Sequence, residues 1–336
     1  MRSGRPIPWR TALVPRAALA AALSSVLALS ACGGSGTREQ APAGEPVVLK
    51  IGVIPIVDVA PLFLGMEKGF FKEEKITLKP QFAAGGAAIV PSVQSGEFQI
   101  GFSNTVSLLI ARSEGLPLRI ITQGVQESSD PSGAYSHVYA RGDSAIRSPE
   151  DLEGKRIAVN TLQNIGDVTI KAALDKRGVD VAQLRFVEAP FPEAPSLLQQ
   201  KRVDAIWVVE PFGTLAAKDG ARPIVANFHE TAPRLTVATY FTTDEYLAGN
   251  EDVVKRFARA MNRSLEYAAG HPDEVRAILP TYTELPQDLA TEVTLPQWSS
   301  DLNRPSIQDL SDLSRKYGLI EEQPGLDELI WQGAAG

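Results

Sequence analysis

From residue 47 onward, short apolar runs rich in β-branched residues alternate with helical stretches. VVLKIGVI (47–54), ITLKPQF (76–82), FQIGF (98–102) and LRIITQGV (118–125) read as strands. Between them 62–71, 87–95 and 104–114 predict helices. The polar stretch 126–136 breaks the rhythm and predicts a crossover into a second lobe. The alternation then resumes, with 137–140 extended, Ser148-Pro149-Glu150-Asp151 a capped helix start, 156–160 a strand and 166–177 a helix. A strand at 184–188, a helix at 193–200 and a strand at 204–209 follow. Near Leu235 the run LTVATYFTT returns as extended chain, a second crossover. Beyond it the pattern is helical, over 252–269, 273–279 and 307–317. Such alternation implies βαβ units, an α/β fold with a mostly parallel sheet in each lobe. The expected division is 47–135 with 236–336 as lobe 1 and 136–235 as lobe 2. The late helices are expected to cover the first lobe.

The first 46 residues follow a different pattern. Arg2, Arg5, Arg10 and Arg16 precede a fourteen-residue apolar run, AALAAALSSVLALS, which is shorter than the roughly 20 residues a spanning helix needs. This order predicts a secretory signal over 1–31. The run ends in Leu29-Ser30-Ala31-Cys32-Gly33, which resembles a bacterial lipobox, and Cys32 is the only cysteine of the chain. The resemblance implies cleavage before Cys32 and a lipid-bearing thiol. GGSGTREQAPAGEP, rich in Gly and Pro, predicts a flexible tether within 32–46 with a reach of roughly 20 Å.

Composition narrows the function classes. The 336 residues carry 33 Lys and Arg against 40 Asp and Glu, a net charge of −7. Removing 1–31 takes away four positive charges and no negative ones, leaving 29 against 40, or −11. So acidic a body argues against nucleic acid as a partner, because displacing counterions from phosphates needs basic side chains. Membrane contact is expected through the lipid anchor only. With 44% apolar residues the chain has ample material for a core, and a lone cysteine allows no internal disulfide.

The stretch 51–121, opening IGVIPIVDVAPLFLGMEKGFF, is similar to the solute-binding proteins of the nitrate/taurine/sulfonate and thiamine-precursor family of ABC importers. So are IRSPEDLEGKRIAV (146–159) and LLQQKRVDAIWVVEPF (197–212), and the resemblance covers roughly 47–280. It implies a two-lobed periplasmic-binding-protein fold of type II. Such a protein is a monomer that closes on a small-molecule solute outside the cytoplasm and delivers it to an ABC permease with a separate ATPase. No enzyme activity, cofactor or metal is expected. An extracellular sensory receptor is an alternative from another class. A further rival is the thiamine-pyrimidine synthases that resemble these receptors, but they carry a cysteine-rich motif that this chain lacks. Gly101-Phe102-Ser103-Asn104-Thr105 matches only half of a nucleophile elbow, and His137, His229 and His271 lack metal-ligand spacing.

In such sheets ligands sit beyond the carboxyl ends of strands. That places Asp58, Gly85, Gly86, Ser103 and Asn104 in lobe 1 as candidates, with Tyr135 in the crossover. Gly85-Gly86 lets backbone N–H groups approach a ligand, or simply makes a turn. Asn104 caps the following helix as readily as it meets a ligand. In lobe 2 the candidates are Asn160, Thr161, Gly166 and Glu210. Glu210 follows an apolar strand, where a carboxylate needs a pair or a polar cleft. Phe102 and Trp207 read as core. The post-strand loops hold no Lys or Arg but three acids, Asp58, Asp167 and Glu210. This balance favours an amine-bearing, zwitterionic or heterocyclic solute over nitrate.

Overall fold

The computed structural model describes residues 44–334. The signal reading of 1–31, the lipidation of Cys32 and all of the tether before Gly44 lie outside the described residues. Gly44 itself is anchored: its N–H donates to Asp252 Oδ2 (3.1 Å) and its carbonyl accepts from Lys75 Nζ (2.8 Å).

Ten strands follow in chain order: β1 (Val47–Val53), β2 (Ile76–Phe82), β3 (Ile100–Asn104), β4 (Leu118–Gln126), β5 (Ser136–Arg141), β6 (Arg156–Val159), β7 (Arg185–Glu188), β8 (Ala205–Val209), β9 (Ala221–Val225) and β10 (Thr236–Thr243). They form two five-stranded sheets, β2-β1-β3-β10-β4 and β7-β6-β8-β5-β9. Each sheet is parallel except for its fourth strand. β10 runs antiparallel to β3 and β4, and β5 antiparallel to β8 and β9. Those two strands are the first that the chain lays down after each crossover, so a strand entering from the other lobe is inserted against the prevailing direction. Central strands with helices on both faces are buried along their length, as β3 and β8 are here, and their sequences are therefore continuously apolar or small.

Several elements differ from the sequence reading. The helix expected over 62–71 is two, Ala60–Glu67 and Phe70–Glu73, separated at Gly69, whose φ of 81° is left-handed. β9 and the helix Asn227–Thr231 were not expected. ARPIV contains a proline and a half-exposed arginine, tolerable because β9 is an edge strand. The helical tail does more than cover the first lobe. Helix Glu251–Gly270 packs on Ala60–Glu67, but helix Arg304–Lys316 packs on both Thr105–Ser113 of the first lobe and Ile165–Asp175 of the second. Lys316 Nζ (2.5 Å) and Tyr317 OH (3.1 Å) both donate to Asp175 Oδ2.

The two crossovers run side by side, with Glu127 N–H donating to the Leu235 carbonyl (2.9 Å). A third pass joins them: Gln126 and Gln297 exchange backbone hydrogen bonds of 2.9 and 3.0 Å. The hinge is thus a three-strand ribbon.

Candidate functional site

Between the two sheets lies a narrow cleft, with a volume of about 30 Å³, walled by both lobes. Ile54, Ile56 and Asp58 come from the turn after β1, Phe102 and Asn104 from the end of β3, and Val237 and Ala238 from the start of β10. The second lobe supplies Asn160, Asn164 and Ile165 after β6, Phe191, Trp207 and Val209 on or near β8, and Phe228. A wider apolar mouth adjoins it through Ile54, Ile56 and Phe191, with Pro55, Phe82, Pro190, Pro192 and Phe212 on its rim. None of the residues lining either space is Lys or Arg.

Asp58 is the one charged group on the cleft wall among the described residues. A short 3-10 turn, Val57–Val59, buries it to 2% exposure. Tyr135 OH donates to Oδ1 (3.2 Å), and Trp298 Nε1 donates to the Asp58 carbonyl (3.3 Å). Oδ2 has no partner among the described residues. Burial pushes the carboxyl up to about 7, against the opposing effect of the Tyr135 hydrogen bond.

The opposite wall is a ladder of amides. Asn164 Nδ2 donates to Asn160 Oδ1 (2.8 Å) and Thr161 Oγ1 (2.7 Å), while its Oδ1 accepts from Gly166 N–H (2.8 Å) and caps helix Ile165–Asp175. Asn160 Nδ2 donates to the Ala84 carbonyl (3.2 Å), a bond between lobes. Trp207 is fixed at its edge by a polar chain: Nε1 donates to Ser136 Oγ (2.8 Å), which donates to Asn227 Oδ1 (3.1 Å), whose Nδ2 donates to Thr169 Oγ1 (2.7 Å). Phe191 and Phe228 meet the same indole edge-on at 5.3 and 5.8 Å, so four aromatic rings with Phe102 surround the cleft.

The structure brings together some of the candidate residues and sets others aside. Asp58, Asn104 and Asn160 lie on the cleft wall. Tyr135 stands behind Asp58, and Thr161 behind Asn164. Gly85 closes on Asn160 and Thr161, where a Cβ would fall 2.8 Å from each, and Gly86 packs on Ser103. Ser103 is fully buried off the cleft, and Gly166 lies under the Trp207 ring. Glu210 does not point into the cleft. Its Oε2 accepts from Thr214 N–H (3.0 Å), and its carbonyl accepts from Val57 N–H (3.0 Å) across the lobes. Burial raises its carboxyl to about 7. Asp167 is also turned away, accepting from Gln163 N–H (2.7 Å) and raised by burial to about 6.

Phe102 and Trp207, read as core, are core and cleft wall at once, being buried and lining the cleft. Asn164, Phe191 and Phe228 were missed, as was Glu127. Glu127 is fully buried, bonded through Oε1 to Ser128 N–H (2.7 Å), with Oε2 unpartnered among the described residues. It is pushed up to about 8 by burial, with the Asp58 charge adding to the effect and the Ser128 N–H opposing it. The signal for it was present, since Glu127 follows an apolar strand just as Glu210 does.

A family model described as NMT1/THI5 like matches residues 56–275. The taurine-binding periplasmic protein of Escherichia coli is 26% identical over 208 residues, 61% of each chain. A 4-amino-5-hydroxymethyl-2-methylpyrimidine phosphate synthase of Candida albicans is 22% identical over 229 residues, 65% of each. The alkanesulfonate-binding protein SsuA from Xanthomonas axonopodis pv. citri superposes with a TM-score of 0.74 at 19% identity, covering 86% of this chain and 99% of the other.

Proposed function

The chain belongs to the NMT1/THI5-like family, and on that premise we propose that it is the solute-binding receptor of an ABC importer. It captures a small organic molecule between its lobes and delivers it unchanged to a membrane permease driven by a separate ATPase. The observation that carries this reading is the cleft itself. Its walls come from two sheets joined by three adjacent chain passes, so closing the lobes buries a ligand and opening them releases it. Solute that binds the closed arrangement better shifts the population toward it.

The receptor is a monomer outside the cytoplasm, held at the membrane by a lipid on Cys32. Support comes from the basic start, apolar run and small residues ahead of that cysteine. Tethering keeps the receptor near its permease and raises its effective concentration there. Reading the protein as a receptor rather than a synthase is supported by that cysteine's position: it is the only one, and it precedes the folded body.

Small-angle scattering on the purified protein tests the clamp. A panel of organic ammonium and amidinium compounds, neutral heterocycles and sulfonates is screened by thermal shift, and each stabilising compound is then added at saturation. The receptor reading expects the radius of gyration to fall. An unchanged radius, or turnover of the compound, would overturn it.

A further inference from the structure

Resting on the receptor reading, we propose that the Asp58 end of the cleft is a cation subsite. The ligand is then a compact organic cation, a protonated amine or an amidinium on a flat apolar body. Three observations meet there. First, Asp58 lines the cleft, and its Oδ2 is buried and without a partner among the described residues, although buried carboxylates are ordinarily bonded or paired. Second, the groups around it supply no counter-charge. Tyr135, Tyr240, Tyr282 and Glu127, from the crossover, β10 and the tail, all feel the Asp58 charge and none is a cation, and Trp298 reaches only its carbonyl. His229 bonds the Ser128 carbonyl, one residue beyond Glu127, and neither carboxyl. Third, Glu127 stands behind Asp58 as a second buried acid, its Oε2 without a partner among the described residues.

Asp58 on the cleft wall and Glu127 behind it are therefore two carboxyls that cannot both ionise cheaply, and burial raises both. A cation at Asp58 supplies the missing charge and takes the place of a proton. An anion would meet the unshared oxygen of Asp58, with no Lys or Arg on the wall to offset it. Trp207 and Phe102 line the same space, and an aromatic wall suits a flat, positively charged body. Asp58 touches the ligand, whereas Glu127 acts through Asp58 as a positioning residue.

The test uses calorimetry on the purified protein at pH 7, with benzamidine and benzenesulfonate as the first probes and the wider panel after them. Benzamidine or another organic cation binds, and Asp58→Asn weakens that binding at least tenfold while melting at no lower temperature. Run in two buffers of different ionisation enthalpy, the wild type releases on the order of one proton per cation bound. Glu127→Gln keeps binding within a few fold but changes the proton count, which a merely structural residue would leave alone. If only sulfonates or neutral compounds bind and compact the protein, or if Asp58→Asn holds the cation as tightly as the wild type, the cation subsite is refuted and the receptor reading stands. If no compound of any class binds, the receptor reading falls and the subsite with it.

Discussion

Raising the pH from 6.5 to 8.5 without ligand singles out Glu127. Its carboxyl rises from an ordinary value of 4.5 to about 8 in the fold, and that of Asp58 from 3.8 to about 7. Over the range between those values the folded protein keeps protons that the unfolded chain has released. The folded state binds more, so stability falls as pH rises, and the loss is complete only above the raised values. With one unit equal to about 1.4 kcal/mol, the window costs about 2 kcal/mol at Glu127 and about 1 kcal/mol at Asp58, most of whose loss lies below pH 6.5. Glu210, raised to about 7, adds about 1 kcal/mol by the same linkage. Asp167, at about 6, adds little. His137 works the other way: burial holds it down at about 4, so the unfolded chain sheds its proton across the window and returns about 0.5 kcal/mol. The net loss is about 3 kcal/mol, and Glu127→Gln should cut it to about 1 kcal/mol. Urea unfolding at the two pH values, followed by tryptophan fluorescence and far-UV circular dichroism with coincident transitions, measures both numbers. Equal losses in the variant and the wild type would show that Glu127 carries no retained proton.

Substitutions at three positions probe the rest of the site and the tail. Gly166→Ala places a methyl 2.5 Å from the Trp207 ring, so about 1–3 kcal/mol of stability and the wild-type tryptophan emission should be lost together; an unaltered spectrum and melting point would contradict the packing. Asn164→Ala removes a helix cap and the amide ladder, lowering stability by about 1 kcal/mol, whereas Asn164→Asp should restore the cap but not ligand affinity; equal affinity of Asn164→Asp and wild type would exclude the amide donor from binding. Lys316→Ala cuts the tie to Asp175, whose carboxyl Lys316 holds below its ordinary value. Both groups are substantially exposed, so melting should shift by less than about 1 kcal/mol while the ligand-free radius of gyration increases; no change in radius would deny the tail a part in holding the lobes together.

The candidate site was legible where one strand end speaks for itself. Asp58 and Asn160 each follow an apolar run directly and Asn104 follows one after Ser103, and a polar residue at or beyond the carboxyl end of a buried parallel strand faces the space beyond the sheet. Glu210 and Glu127 occupy the same local context in sequence, yet neither lines the cleft, because the first is turned onto Thr214 and the second lies in the hinge behind Asp58. Only the neighbours that each loop meets distinguish them. Phe191 and Phe228 sit in loops with no periodic pattern around them, so nothing local marked them for the wall.

Hydrophobic spacing alone marked most of the alternating strands and helices, because burying an apolar face leaves a periodic trace in the residues that do it. The insertion of β5 and β10 against the direction of their sheets, the reach of helix Arg304–Lys316 onto the second lobe and the convergence of Asp58, Glu127 and Trp207 were decided by the tertiary structure. These features depend on contacts between residues far apart in the chain, and a long-range contact is set by how two surfaces fit, which neither segment encodes by itself.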